Sequence, residues 1–301
     1  MNIDDKKKSP TTIKLLVETG RTGKANHTEE DDVNDGVKDS DPGLFGKDSN
    51  KVELLDRLLA KNMLVPGSNL GQSFQDDYRK IKRPLVSNAC GRNKSMVDRG
   101  NLILVTSSIP GEGKTFTSVN LALSIAQEKD TTVLLVDCDV AKHGVSRILG
   151  IEKFSGLVDV LESDGLTIGD VMLQTDIPNL RVVSAGRQHE YVTELLASER
   201  MLTLVKEIAH RYSDRIIIFD GPPLLATPQT QVLAGLVGQV VFVIEAGKTP
   251  QSLVEEALKM IPEEQATGLV MNKNEGLYGR SGSYYGYYGS EGGKSDNDNS
   301  R

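Results

Sequence analysis

Hydrophobic positions along this chain follow two different rhythms. From residue 102 onward, short runs that are apolar at nearly every position alternate with longer stretches of helical character; the runs fall at 102–106, 132–137, 180–184, 216–220, 240–245 and 267–272. Near-continuous apolarity is what a strand covered on both faces requires. Strands that alternate with helices predict parallel pairing through crossovers. The expected class is therefore α/β, with a mostly parallel sheet and helices on both faces. Upstream, Val52, Leu54, Leu55, Leu58, Leu59, Met63 and Leu64 recur at helical spacing before Pro66 and Gly67, which predicts one amphipathic helix with a stop signal. A second helix is predicted over 73–83, with Phe74, Tyr78 and Ile81 on one side and Arg79, Lys80, Lys82 and Arg83 supplying charge; Pro84 is expected to end it.

The flanks read differently. Residues 1–50 mix Lys6, Lys7 and Lys8 with Glu29, Glu30, Asp31 and Asp32, show no sustained period, and are expected to be largely disordered. After Asn272 the composition turns to Gly, Ser, Tyr and Asn with no aliphatic run, the composition of a flexible tail. Four parts follow: a disordered segment at 1–50, N-terminal helices at 51–85 that either form a solvated face or serve oligomerisation, a core domain at 100–273, and a Gly/Tyr-rich tail at 274–301.

Composition narrows the partners. A net charge of -7 offers no bulk attraction to nucleic acid, so no nucleic-acid partner is expected. The longest apolar runs fall far short of the about 20 residues that a spanning helix needs, and the N-terminus lacks the basic region and apolar stretch of a secretory leader. A cytoplasmic chain is the expectation. Two cysteines, Cys90 and Cys138, lie without metal-ligand spacing and read as reduced thiols.

The segment from Ile103 to Thr115 runs from a predicted strand into a predicted helix and contains Ser108-Ile109-Pro110-Gly111-Glu112-Gly113-Lys114-Thr115. Gly111 and Gly113 let backbone N–H groups turn toward phosphate oxygens, the helix offers its positive N-terminus, Lys114 reaches the β- and γ-phosphates, and Thr115 holds Mg²⁺. The strict phosphate-loop pattern has Gly where this chain has Ser108, so the match is relaxed. Two strand ends strengthen it: Asp137-Cys138-Asp139 after the second strand and Asp220-Gly221-Pro222-Pro223 after the fourth. Ligands of open parallel sheets bind at the carboxyl ends of strands, so Asp137, Asp139 and Asp220 converge on the loop's edge. The fold expectation sharpens to a P-loop NTPase-like sheet binding ATP and Mg²⁺. Gly221 follows Asp220 where a water-activating glutamate would favour fast hydrolysis.

Five of the eight tyrosines, Tyr278, Tyr284, Tyr285, Tyr287 and Tyr288, lie after the last predicted strand. A flexible stretch of about sixteen residues spans roughly 20 to 24 Å, enough to reach a neighbouring subunit's nucleotide. A phenol with a pKa of about 10 is scarcely ionised at neutral pH and benefits from a carboxylate base. Asp137 is the candidate base, Asp139 and Asp220 the candidate Mg²⁺ ligands, and Lys114 with the loop amides the charge stabilisers. The bland alternative for the tail is a Gly-Tyr tract that associates with itself.

At these residues the chain resembles the bacterial tyrosine autokinases of exopolysaccharide gene clusters, in particular the exosortase-associated, chain-length-regulator type. The likeness covers about residues 73–288. Gly113-Lys114-Thr115 resembles the end of the Walker A motif, Asp137-Cys138-Asp139 the second acidic motif and Asp220-Gly221-Pro222-Pro223 the Walker B motif. The family's Glu-x-x-Arg-x-x-Arg helix, which packs one subunit onto the next, is similar to Asp76, Arg79 and Lys82; lysine lacks the bidentate guanidinium, which implies a weaker or different ring contact. Lys142 stands where the second acidic motif commonly continues to arginine. The resemblance assigns Pro110, Gly111, Glu112, Gly113, Lys114, Thr115, Phe116 and Asn272 to the nucleotide; Asn272 either touches the base or is a turn residue. It implies phosphorylation of tail tyrosines between subunits of a homo-oligomeric ring, activation by a separate membrane chain-length determinant (Wzz-like) protein that recruits the chain to the inner face of the plasma membrane, and a cognate tyrosine phosphatase. The alternative is a nucleotide-switched positioning ATPase of the partition and site-selection kind, against which Ile109 counts, because it stands where those proteins carry a signature lysine.

Overall fold

A computed structural model describes residues 16–18 and 50–274, apart from 67, 69, 92, 93, 95, 189–191 and 212–214. In chain order the elements are β1 (Leu16–Glu18), β2 (Lys51–Val52), α1 (Leu55–Ala60), α2 (Gln72–Ala89), β3 (Leu102–Ser107), α3 (Lys114–Ala126), β4 (Thr132–Asp137), α4 (Gly144–Leu149), α5 (Leu157–Glu162), α6 (Ile168–Val171), β5 (Leu173–Thr175), β6 (Leu180–Val183), α7 (Val192–Leu196), α8 (Glu199–Arg211), β7 (Arg215–Asp220), α9 (Pro228–Leu236), β8 (Gln239–Glu245), α10 (Gln251–Leu258) and β9 (Ala266–Asn272). The strands form one sheet in the order β1-β9-β8-β3-β7-β4-β6-β5-β2. Every pairing is parallel except β5 with β6.

All six predicted strands are present, and their alternation divides the core. Ile103 and Val105 of β3, with Val133 and Leu135 of β4, face a layer that includes Leu58, Phe74, Tyr78, Val119 and Leu123. Leu102, Leu104, Leu134 and Val136 face the opposite layer, with Leu157, Leu204 and Leu233. Burying both faces explains why the strands carry so few polar residues. The strand β1 lies within the stretch read as disordered and corrects that expectation at Leu16–Glu18, which pair with Leu269, Val270 and Met271. The rest of 1–49, and the tail from 275 with its five tyrosines, lie outside the described residues.

Two helix expectations are corrected. The apolar stretch 52–64 is not one helix: Lys51 and Val52 pair with β5, α1 covers only six residues, and Asn62 takes a left-handed φ of 52°. Tertiary contacts override the helical spacing. Asp176 accepts the backbone N–H groups of Leu54 at 2.8 Å and Leu55 at 3.1 Å, which places a carboxylate at the start of α1. Met63, Leu64 and Val65 are nevertheless buried, and the Leu64 N–H donates to Asn120 Oδ1 of α3 at 2.8 Å.

Pro84 does not end the second helix, because α2 continues to Ala89 with the proline inside it. An interior proline removes one helical hydrogen bond at a cost of about 3 kcal/mol. The last turn compensates by burying Leu85 and Ala89 and by a polar lock: Asn88 Nδ2 donates to Gln239 Oε1 at 2.8 Å, and Gln239 Nε2 donates to the carbonyl of Leu85 at 3.1 Å and to that of Gly100. α2 thereby packs along α3, with Phe74 against Tyr78 and Phe116 at ring-centroid distances of 5.1 and 6.2 Å.

Candidate nucleotide and phosphoryl-transfer site

The loop 108–113 leaves the carboxyl end of β3 and enters α3 at Lys114. Gly111 and Gly113 sit at φ of 95° and 96°, a region that side chains with a Cβ rarely adopt. Gly113 has a further constraint: a Cβ there would collide with Asn272 Nδ2. The loop is held from within and from the neighbouring strand ends. Glu112, buried, accepts the Ile109 N–H at 2.8 Å through Oε2 and the Thr249 hydroxyl at 2.5 Å through Oε1. Asn272 Nδ2 donates to the carbonyl of Glu112 at 2.9 Å.

The three acids do converge. Register places Asp137 of β4 directly beside Asp220 of β7, and Asp220 beside Val105 of β3. Lys114 Nζ donates to Asp139 Oδ2 at 2.7 Å, a pair in which both side chains are at least nine-tenths buried. Thr115 Oγ1 donates to Asp220 Oδ2 and Ser118 Oγ to Asp220 Oδ1, each at 2.8 Å. Asp137 accepts the Ser146 N–H at 2.8 Å and hydroxyl at 2.7 Å on Oδ2, and the Asp139 N–H at 3.2 Å on Oδ1. An ionised carboxylate offers about four acceptor sites, so Asp137 keeps one in reserve.

Burial dominates the electrostatics here. Desolvation pushes the Asp137 carboxyl up to about 6; the Ser146 hydrogen bonds pull the other way and the Asp139 charge adds to the rise. Desolvation likewise pushes Asp220 up to about 7, against the favourable charge of Lys114 and with the repulsion of Asp137. The Cys138 thiol, buried between them, is pushed up by burial and by all three carboxylates.

The predicted residues separate into groups. Lys114, Thr115, Asp137, Asp139 and Asp220 meet at one edge of the sheet, as the strand ends imply. Pro110 and Gly111 lie exposed on the loop. The ring of Phe116 packs toward Phe74 of α2. Asn272 spends its amide N–H on the loop carbonyl. Asp76 and Arg79 pair with each other at 2.7 Å on the exposed side of α2. Lys82 parts from them: it is buried, donating to the carbonyl of Ser124 at 2.9 Å and pairing with Glu128 at 2.6 Å. Ser118, Ser146 and Lys273 are site residues that the sequence reading passed over. Ser118 stands one helical turn beyond Thr115 and was findable from spacing; Ser146 and Lys273 carried no local signal.

The residues fit a nucleotide with a divalent ion. Ser108 Oγ, at the loop's first position, is buried without a partner. A side chain at Gly113 would strike Asn272, and both loop glycines hold a left-handed φ. Among the described residues no three acid, His or Cys side chains form a ready cation cage. Mg²⁺ is usually held by one or two carboxylates together with phosphate oxygens and water. Thr115 and Asp220, already in contact, are the pair that would hold it, with Asp139 the further carboxylate.

The model of the AAA domain family matches residues 100–266. Tyrosine-protein kinase YwqD of Bacillus subtilis is 32% identical over 218 residues, covering 72% of this chain and 86% of that one. Tyrosine-protein kinase wzc of Salmonella typhimurium is 30% identical over 197 residues, covering 64% of this chain; the chain spans only 26% of the length of that relative. Among solved structures, the kinase domain of VpsO superposes with a TM-score of 0.57 at 28% identity, covering 66% of this chain and 96% of that one. Among the described residues no helix is long and apolar enough to cross a membrane. A phosphate loop facing two acidic strand ends, with a relative 32% identical that this chain covers to 86% of its length, places this chain in the bacterial tyrosine-protein kinase family of P-loop fold.

Proposed function

We propose that the chain is an ATP-dependent protein-tyrosine autokinase that phosphorylates tyrosines of its own C-terminal segment, Tyr278, Tyr284, Tyr285, Tyr287 and Tyr288, between subunits of a homo-oligomer. The observation that carries this reading is the junction of Lys114 with Asp139 and of Thr115 with Asp220 beneath a glycine loop that Asn272, six residues before Tyr278, holds by its amide. In the reaction a phenolic oxygen bonds to the γ-phosphorus, the bond from that phosphorus to the β,γ-bridging oxygen breaks, ADP departs, and the phenolic proton passes to Asp137. A base is most useful with a pKa near the working pH, and burial has moved Asp137 to about 6. Lys114 and the loop N–H groups stabilise charge on the transferring group, and Asp220 with Thr115 orients the cation. Bound Mg²⁺ supplies charge neutralisation at the phosphate oxygens.

In the same reading Asp76 and Arg79 serve the subunit contact, a membrane chain-length-determinant protein activates the kinase and recruits it to the inner face of the membrane, a tyrosine phosphatase reverses it, and the output is control of exopolysaccharide polymerisation and export. Intact mass after incubation with Mg·ATP tests the chemistry. Additions of phosphate that disappear in Lys114→Met and on deletion of residues 278–288 are expected. An unchanged wild-type mass, with nucleotide bound, would reject the kinase in favour of a nucleotide-switched ATPase.

A further inference from the structure

Lys273 has no role in the reading above, yet it occupies an expensive conformation. Its φ is 59°, left-handed for a residue that is neither Gly nor Asn, at a cost on the order of 1–2 kcal/mol. Such outliers persist where surrounding contacts enforce them. The left-handed turn sends the side chain back across the end of the sheet. There Nζ donates to the carbonyl of Gly111 at 2.6 Å and to Glu245 Oε2 at 3.1 Å. Lys248 takes the other oxygen, Oε1, at 3.2 Å. Burial works to raise the Glu245 carboxyl, but the two lysines outweigh it and hold it below the ordinary carboxylate range. The side chain of Lys273 is 27% exposed against 75% for Lys248, so Lys273 is the docked partner of the two.

The consequence lies in peptide geometry. In a trans peptide the C=O and the following N–H point in opposite directions. Lys273 draws the Gly111 carbonyl toward β8 and β9, which turns the Glu112 N–H away from those strands. Asn272 draws the Glu112 carbonyl the same way and turns the Gly113 N–H likewise. Gly111 is exposed, with nothing within 4 Å of where a Cβ would stand, so side-chain packing at that position does not hold this peptide. A charge-assisted bond from the adjacent strand end is the restraint it needs.

We propose that Lys273, braced by Glu245, is a positioning residue for the phosphate loop, fixing the Gly111–Glu112 peptide so that its N–H is presented to the nucleotide's phosphates. This deepens the proposed function and rests on nucleotide binding at that loop. Because Lys273 immediately precedes the tyrosine segment, the loop and the root of the acceptor tail share one fixed point.

The test is calorimetric titration of the full chain with Mg·ADP. Lys273→Met is expected to weaken binding about tenfold, equivalent to about 1.4 kcal/mol, with the unfolding midpoint of the nucleotide-free protein unchanged, while Lys273→Arg restores binding. Unchanged affinity in Lys273→Met, failure of Lys273→Arg to restore it, or a fall in the nucleotide-free midpoint that accompanies the loss would each overturn the proposal. If Lys273→Met does not fold, Glu245→Gln removes the brace instead: a smaller loss of the same sign supports the proposal and unchanged affinity overturns it. Wild-type chain that binds no Mg·ADP would refute the proposed function itself, a result distinct from equal binding by wild type and variant.

Discussion

Raising the pH should loosen the nucleotide-free fold, and the cause is confined to two side chains. Asp137 and Asp220 are fully buried, and burial raises their carboxyls from 3.8 to about 6 and about 7. A carboxyl with a raised folded pKa holds its proton in the native state where the unfolded chain has already released it. Stability from these groups is therefore complete below about pH 4 and lost as pH rises through 6 and 7, the reverse of an exposed, salt-bridged aspartate. At about 1.4 kcal/mol per pKa unit, Asp137 corresponds to about 3 kcal/mol and Asp220 to about 4 kcal/mol between pH 4 and 8. The repulsion of Asp137 enters the Asp220 figure, so the joint loss lies between the larger contribution and the total of the two.

For a chain of this size about 4 kcal/mol moves the thermal midpoint by roughly 10 °C. The assay is thermal unfolding at pH 5, 6, 7 and 8 in EDTA, with Asp220→Asn measured alongside. The wild type should lose stability across that window. Asp220→Asn, which carries no charge to bury, should lose less and be the more stable of the two at pH 8. Saturating Mg·ADP should flatten the wild-type slope, since a cation beside Asp220 favours its ionised form. A wild-type midpoint that is level or rises from pH 5 to 8, or an Asp220→Asn profile parallel to it, would refute the reasoning.

Three further outcomes follow from the geometry. Gly113→Ala must place a Cβ at φ of 96° against Asn272 Nδ2, so a loss of about 2 kcal/mol in urea unfolding, together with loss of nucleotide binding, is expected; an unchanged midpoint would show that the Asn272 clamp yields freely. Lys82→Met strips a buried ammonium from the carbonyl of Ser124 near the end of α3, where a cation also favours the helix dipole, and should cost about 1–3 kcal/mol. Asp76→Ala and Arg79→Ala, on an exposed pair, should each stay within about 1 kcal/mol of wild type.

The central strands were legible because each is buried on both faces: 132–137, for example, has no solvent side to confuse the pattern. The short strands β2 and β5 were not, since two or three residues are too few to display a period and are recruited by neighbours, Lys51 by Gln174 and Leu173 by Val182. Pro84 was misread because a local rule about its missing N–H says nothing of Asn88 and Gln239, which lie 151 residues apart and lock the helix beyond it. At the site, strand-end position revealed Asp137, Asp139 and Asp220. The inward turn of Lys82 was invisible, because its partners Ser124 and Glu128 lie on a different helix and just beyond it. A shared motif spacing placed Lys82 with Asp76 and Arg79, although only those two point outward.

The contacts around the loop fall into two kinds, and the difference bears on how a ligand is received. Glu112, Thr249, Asn272 and Lys273 form a girdle behind the loop that no phosphate needs to disturb. Under the proposed function, Lys114 on Asp139 and Thr115 on Asp220 lie on the chemical side, and both would exchange partners for Lys114 to meet a phosphate and Thr115 a cation. Releasing Lys114 alone would strand Asp139 as a buried, unpaired charge, an outcome costing several kcal/mol. With Asp137, Asp139 and Asp220 all ionised, the cluster already holds two more negative than positive charges, and a polyphosphate arriving alone would deepen that excess in a low-dielectric pocket. Under the proposed function, a divalent ion arriving with it would offset two of the added charges, with Asp220 and Thr115 as its ligands, and Lys114 would be free to pair with the polyphosphate. On that reading the paired arrangement would make nucleotide and cation interdependent, with Asp139 pairing the buried Lys114 in their absence.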